Sequence, residues 1–240
     1  MTQRPAAVLF DLDDTLYQER TFVDGGFRAV ARFLAPRTGA RPSDLFARLV
    51  ELHVAEGRGR LFDRLLAELD RDDSDLVLAS VLAYRTHRPR LDSFPGVVEL
   101  LDRLRGAGIR TGIVSDGHAS VQRRKIAALS AVGRQVDLVL LTDELPPGYA
   151  KPSPVPFRVA CRILGIDPGQ AVYVANDRRK DFAGAHEAGL MTIRCGLEPD
   201  EGGPRAGHGQ VLEDADYVAD AIVDLEPILL DAGARRARTE

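Results

Sequence analysis

Ala7-Val8-Leu9-Phe10 is a short, unbroken apolar run, the pattern of a strand covered on both faces. From about Thr21 the period lengthens to that of a helix. Apolar positions recur at helical spacing over roughly Thr21–Ala35, Ser43–Glu56, Arg60–Leu69 and Ser74–Arg88, and no strand pattern interrupts them. Ser43 ahead of Phe46, Leu49, Val50 and Val54, and Ser74 ahead of Val77, Leu78, Val81, Leu82 and Tyr84, read as N-caps of amphipathic helices. Four such helices suffice for a small bundle. Beyond Phe94 the texture changes to short β-rich runs, Arg110–Ser115, Val136–Leu141, Ala171–Ala175, Met191–Arg194 and Tyr217–Ala219. Helical stretches at about Ala119–Ala131, Val155–Leu164 and Ala183–Ala188 alternate with them.

This alternation predicts an α/β fold: a doubly wound, mostly parallel, Rossmann-like sheet with helices on both faces, interrupted by an inserted all-helical segment. The texture divides the chain into an α/β core, residues 1–16 and 91–240, and a helical insertion, residues 17–90. Pro199–Gly209, with four glycines and two prolines, reads as a surface loop.

At 240 residues, 45% hydrophobic and 28% charged, the chain can bury one large core and a smaller inserted unit. Its net charge of −4 provides no electrostatic footprint for nucleic acid or anionic lipid, so neither is an expected partner. No apolar run is long enough to cross a bilayer and Met1–Pro5 lacks a secretion signal, so a cytoplasmic location is expected. Cys161 and Cys195 have no CxxC spacing or companion histidine motif and are expected to be reduced core thiols.

Candidate chemistry collects where the β-rich runs end, and in doubly wound sheets ligands bind at the carboxyl ends of the strands. The first run stops at Asp11-Leu12-Asp13-Asp14, three carboxylates in four positions. Unpaired carboxylates there repel one another and resist desolvation. A divalent cation resolves that conflict, and oxygen ligands of this kind favour Mg²⁺. A solvated acidic turn is the alternative.

Ile113-Val114-Ser115-Asp116-Gly117 ends a second run in a hydroxyl and a turn that can offer N–H groups to an anion, although taken alone Ser115 or Asp116 as a simple helix cap is the preferred reading. Lys151 precedes Pro152, which restricts it to an extended conformation able to aim the ammonium inward rather than along a helix, with a mobile surface lysine as the alternative. The chain has only three lysines, Lys125, Lys151 and Lys180, so this one is a marked choice. Asn176 and Asp177 end a further run, with Asp181 following as a site residue or a helix cap. Arg178, Arg179 and Lys180 read as a solvated face or as an offset to the acidic site. His118 and His186 read as surface or capping residues. Gly25-Gly26 and Arg85-Thr86-His87-Arg88 stand near the presumed junction of insertion and core, where hinge and surface roles are equally open.

Taken in order, Asp-x-Asp-x-Thr, Ser-Asp-Gly, Lys-Pro and an Asn/Asp loop with Asp181 resemble the haloacid dehalogenase superfamily, and Phe182-Ala183-Gly184-Ala185 with Ala188-Gly189 resembles the helix after its fourth motif. The resemblance implies that the inserted helices form a cap governing substrate choice. It further implies a Mg²⁺-dependent phosphatase acting on a small phosphorylated metabolite, in which Asp11 forms an aspartyl-phosphate and Asp13 serves as general acid and base. Ser115, a backbone N–H near Asp116 and Lys151 would hold the phosphoryl group. Asp11, Asp13, Asn176, Asp177 and Asp181 are the candidate metal ligands, with Asp14 as structural support. Members that cleave carbon–halogen bonds lack an acid at the position of Asp13, which points to phosphate chemistry. A sugar phosphomutase shares these residues. Ala175-Asn176 departs from the usual Gly-Asp, which leaves Asn176 or Asp177 as the ligand and a weakened binding homologue as a further alternative.

Overall fold

The computed structural model describes residues 4–57, 59–71, 73–196 and 214–231; the expected loop Pro199–Gly209 lies outside them. Two compact units divide these residues, one from Glu19 to Leu91 and one holding the residues before and after.

The chain opens with β1 (Ala7–Phe10), every residue of which is buried. Next come the helices α1 (Glu19–Thr38), α2 (Pro42–Glu56), α3 (Leu61–Glu68) and α4 (Ser74–Thr86), which make up the first unit. Their shared core holds Phe27, Val30, Leu34, Leu49, Leu65 and Leu66. Gly26 has a packing reason, since a Cβ there would stand 2.5 Å from the Tyr84 ring.

Neither expected serine cap forms. Arg41 precedes α2 with Pro42 in its first turn, and Ser43 lies inside the helix and donates to Asp44. Pro42 opens the helix by its fixed φ and lack of an N–H, which leaves the serine no capping role. At α4 the cap is Asp73, whose Oδ1 accepts from the Asp75 and Leu76 N–H groups at 3.0 Å, so Ser74 is already helical.

The second unit continues with α5 (Val97–Gly106), β2 (Arg110–Ser115), α6 (Ala119–Ala128), α7 (Ser130–Gln135) and β3 (Leu138–Leu141). Then follow α8 (Val155–Leu164), β4 (Ala171–Ala175), α9 (Phe182–Ala188), β5 (Met191–Arg194), β6 (Tyr217–Val218) and α10 (Leu225–Leu230). The single helix expected over Ala119–Ala131 is broken at Leu129, which is buried with ψ near 52°. Burying Leu129 competes there with helical continuity and wins. The strand expected from Val136 starts two residues later, because Asp137 instead turns its carboxylate to the Thr111 N–H.

All strand pairs are parallel, in the order β3-β2-β1-β4-β5-β6, confirming the doubly wound α/β reading. From β1 the chain first builds outward through β2 and β3, then returns to lay down β4, β5 and β6 on the other side. The order therefore reverses at β1, where doubly wound sheets open a crevice at their carboxyl edge. Phe10 stands level with both Ile113 and Val174, so the residues that follow these strands emerge at one edge. Cys161 and Cys195 are free and buried. Among the described residues no helix is long and apolar enough to cross a membrane.

Candidate active site

Asp11 is the first residue past β1, held by its N–H to the Val174 carbonyl of β4 at 2.9 Å. Lys151 arrives from the β3–α8 connection and Asp181 from the residue before α9. Their side chains meet in the interior. Lys151 Nζ donates to Asp11 Oδ1 at 2.8 Å, Asp181 Oδ1 at 2.6 Å and Tyr173 Oη at 2.9 Å. The Lys151 and Asp181 side chains are 0% exposed and that of Asp11 is 2% exposed. Burial alone would discharge such a lysine. Asp11 and Asp181 overcome that and push the Lys151 ammonium well above its usual pKa, so it stays charged.

Asp11 responds in the opposite sense. Burial raises its carboxyl, Lys151 pulls it down, and the balance lifts it to about 6. Its Oδ2 is buried without a hydrogen-bond partner. An orphaned carboxylate oxygen of this kind is costly unless a cation or substrate group meets it.

Asp13 is held differently. Its Oδ1 accepts from Tyr17 Oη at 2.5 Å and Lys125 Nζ at 2.7 Å, and its Oδ2 from Gln122 Nε2 at 2.8 Å and Lys125 Nζ at 2.9 Å. Burial acts to raise this carboxyl, but Lys125 and the donated hydrogen bonds lower it below the usual value. Gln122 Nε2 also donates to Ser115 Oγ at 2.8 Å, joining the ends of β1 and β2.

The capping alternative for Ser115 and Asp116 does not hold. The first N–H of α6, at Ala119, is taken by Asp143 Oδ2 at 2.9 Å. Asp116 Oδ1 accepts instead from Thr142 Oγ1 at 2.6 Å and from the Lys151 N–H at 3.2 Å, which anchors the lysine loop to the end of β2. Asp181 is likewise no cap, since Oδ1 serves Lys151 and Oδ2 accepts the Asp177 N–H at 2.9 Å.

In the fourth motif Asn176 and Asp177 part company. Asn176 Oδ1 accepts from Thr15 Oγ1 at 3.3 Å, beside the β1 carboxylates. Both oxygens of Asp177 are taken by the Arg179 guanidinium, at 2.7 and 2.8 Å, a bidentate pairing that closes the carboxylate to other cations. The solvated-face reading of Arg178-Arg179-Lys180 therefore fails for Arg179. It fails for Lys180 too: burial and Lys151 act to lower the pKa of this half-buried ammonium, yet Asp11, Asp181 and Asp116 raise it.

No three His, Cys, Asp or Glu side chains among the described residues form a metal cluster. The oxygens at this edge include the unpaired Asp11 Oδ2 and the Asn176 amide oxygen. Such a set suits a hard cation that keeps several waters, as Mg²⁺ does, and supplies it with little negative charge.

Tyr17, Gln122, Lys125, Thr142 and Tyr173 are part of this network and carried no motif. Lysine scarcity was the available signal for Lys125: all three lysines of the chain belong to this network, two by ion pairs and Lys180 electrostatically.

Gly184 allows α9 to press against the lysine loop. A Cβ there would lie 2.1 Å from the Pro152 carbonyl oxygen and 2.7 Å from that of Ser153. Neither backbone atom can swing aside, so Gly184→Ala is expected to lower stability by about 1–3 kcal/mol, read from urea denaturation. A denaturation midpoint equal to wild type would show that the contact yields.

Residues 5–189 match the family model for haloacid dehalogenase-like hydrolases. A glyceraldehyde 3-phosphate phosphatase of Methanopyrus kandleri is 34% identical over 234 residues, covering 94% of this chain and 95% of that protein. A phosphoglycolate phosphatase of Neisseria meningitidis is 32% identical over 195 residues, 78% of each chain. Among solved structures, an HAD phosphatase from Thermococcus onnurineus superposes with a TM-score of 0.61 at 25% identity, covering 93% of this chain and 97% of that one.

Proposed function

Because the chain belongs to the haloacid dehalogenase-like hydrolases, we propose that it is a Mg²⁺-dependent phosphatase that releases phosphate from a small phosphomonoester through an aspartyl-phosphate on Asp11. The observation that carries this reading is the divided environment of Asp11, one oxygen on the Lys151 ammonium and the other buried with no partner. A carboxylate in that state is oriented by one oxygen and open at the other, as a nucleophile requires.

Asp11 attacks phosphorus as the bond from phosphorus to the ester oxygen breaks. Asp13 first takes up a proton as substrate displaces one of its donors, gives that proton to the leaving oxygen, and, again a carboxylate, accepts one from the water that attacks the aspartyl-phosphate and frees Asp11. Lys151, the Ser115 hydroxyl and a backbone N–H near Asp116 hold the phosphoryl oxygens as charge shifts among them. Asp11, the Asp13 carbonyl and Asn176 would hold Mg²⁺, with Asp181 supporting them through Lys151 and Asp177 kept on Arg179. The ion, when bound, neutralises nucleophile and phosphoryl group together. An acid at position 13 is needed to expel an alkoxide from phosphorus and idle in displacing a halide. The helices of Glu19–Leu91 serve in this reading as a substrate-selecting cap.

The relatives' substrates suggest a phosphorylated two- or three-carbon acid or aldehyde. Phosphate release is to be measured on glyceraldehyde 3-phosphate, phosphoglycolate, sugar phosphates and nucleoside monophosphates. Turnover should fall at least ~100-fold on chelation and return with added Mg²⁺. Rearranged phosphosugar without free phosphate would replace the phosphatase by a mutase, and inertness toward every ester would refute both.

A further inference from the structure

Gln122 and Lys125 stand three residues apart on α6, so their side chains leave the same face, and both are buried, at 2% and 3% exposure. Neither touches Asp11 or Lys151 through a hydrogen bond described above. Both end on Asp13. With Tyr17 they direct four contacts at the Asp13 carboxylate, two to each oxygen, at 2.5 to 2.9 Å. A carboxylate offers about four lone-pair positions. The Asp13 side chain is therefore fixed in torsion as well as in place, and it can turn only by breaking with α6.

Gln122 extends the same restraint to the second motif. Its amide group has two hydrogens, and Nε2 reaches both Asp13 Oδ2 and Ser115 Oγ at 2.8 Å. Ser115 thereby accepts a hydrogen bond and must send its own proton elsewhere. Among the described residues that proton has the Asp116 carbonyl at 3.4 Å, a long contact easily exchanged for an oxyanion.

We propose that Gln122 and Lys125 are the positioning residues of this site, Lys125 holding the Asp13 carboxylate in register with the leaving oxygen and Gln122 aiming the Ser115 proton at the phosphoryl group. The assignment rests on the phosphatase reading. It goes beyond that reading by placing the control of geometry on one helix face and by separating two effects. Lys125 acts through Asp13 and governs turnover. Gln122 acts through both partners and governs phosphate affinity as well.

Steady-state phosphate release from para-nitrophenyl phosphate, with inorganic phosphate as competing ligand, tests it in the full chain with Mg²⁺. Lys125→Met is expected to lower kcat by ~10–100-fold with KM and the phosphate inhibition constant within ~3-fold, and Lys125→Arg to recover much of that loss. Gln122→Leu is expected to weaken phosphate inhibition by ~10-fold in addition to lowering kcat. Melting curves and circular dichroism of each variant separate catalysis from folding. Variants matching wild type in kcat, KM and inhibition overturn the proposal. So does a Lys125→Met loss that follows the unfolded fraction and is not eased by arginine. A wild-type protein that releases no phosphate overturns the phosphatase reading and this one together, whereas active wild type with indifferent variants overturns this one alone.

Discussion

Asp11→Asn is expected to abolish phosphate release, by at least ~10⁴-fold, while leaving the protein folded. The amide nitrogen and oxygen fit the same space but cannot form the proposed acyl phosphate. The variant also tests the electrostatics. Burial outweighs Lys151 and lifts the Asp11 carboxyl from 3.8 to about 6, so the ionised form is a net burden on the folded state. The stability linked to a raised carboxyl pKa is fully present below 3.8 and is lost as pH climbs through about 6. At pH 7 without metal, Asp11→Asn should therefore melt no lower than wild type, and any advantage should shrink as pH falls from about 6 toward 4 and stay constant below that. Residual turnover within tenfold of wild type would remove Asp11 from the reaction. A lower Tm at pH 7 would show that its pairing with Lys151 outweighs its burial.

The second large effect concerns Lys151→Met. The side chain fits the space, but the change strands two carboxylates, Asp11 and Asp181, at 2% and 0% exposure. Removing one partner of a buried ion pair costs about 3–5 kcal/mol, and activity should drop ~10²–10³-fold with the loss of the charge proposed above to hold the phosphoryl oxygens. The sign of the pH dependence follows from Lys151 itself. Its folded pKa lies well above 10.5, so its contribution is complete at neutral pH and is lost only as pH rises beyond the ordinary lysine value. The variant's deficit should be largest near pH 7 and shrink as pH falls and the stranded Asp11 carboxyl takes up a proton. A deficit that is independent of pH would assign the effect to packing.

Much of this arrangement is legible before folding, for a local reason. Ala7–Phe10 and Ala171–Ala175 are buried along their whole length, and a parallel strand covered on both faces can be written only with apolar residues. Polar side chains directly after such runs mark the edge where ligands bind, which is how Asp11, Ser115 and Asn176 stand out. Lys151 stands out by rarity and by Pro152. Helix ends are less legible, because competing signals lie within one or two residues. Pro42 and Asp73 each displace a serine that reads as a cap, and buried Leu129 splits a helix whose period continues past it.

The chain's own pattern thus determined the α/β class, the places where strands stop and the residue types waiting there. Tertiary structure decided which of those groups become partners. Asp13 and Lys125 are separated by 112 positions, and Asp11 and Lys151 by 140, so no local period relates them. They meet because the sheet order sets β2 and β4 on either side of β1, and because a buried charge must find an opposite charge or donor within a few ångströms. The same demand closed Asp177 onto Arg179, left Asn176 beside Thr15 and drew Gln122 from an unremarkable helix into the centre of the network.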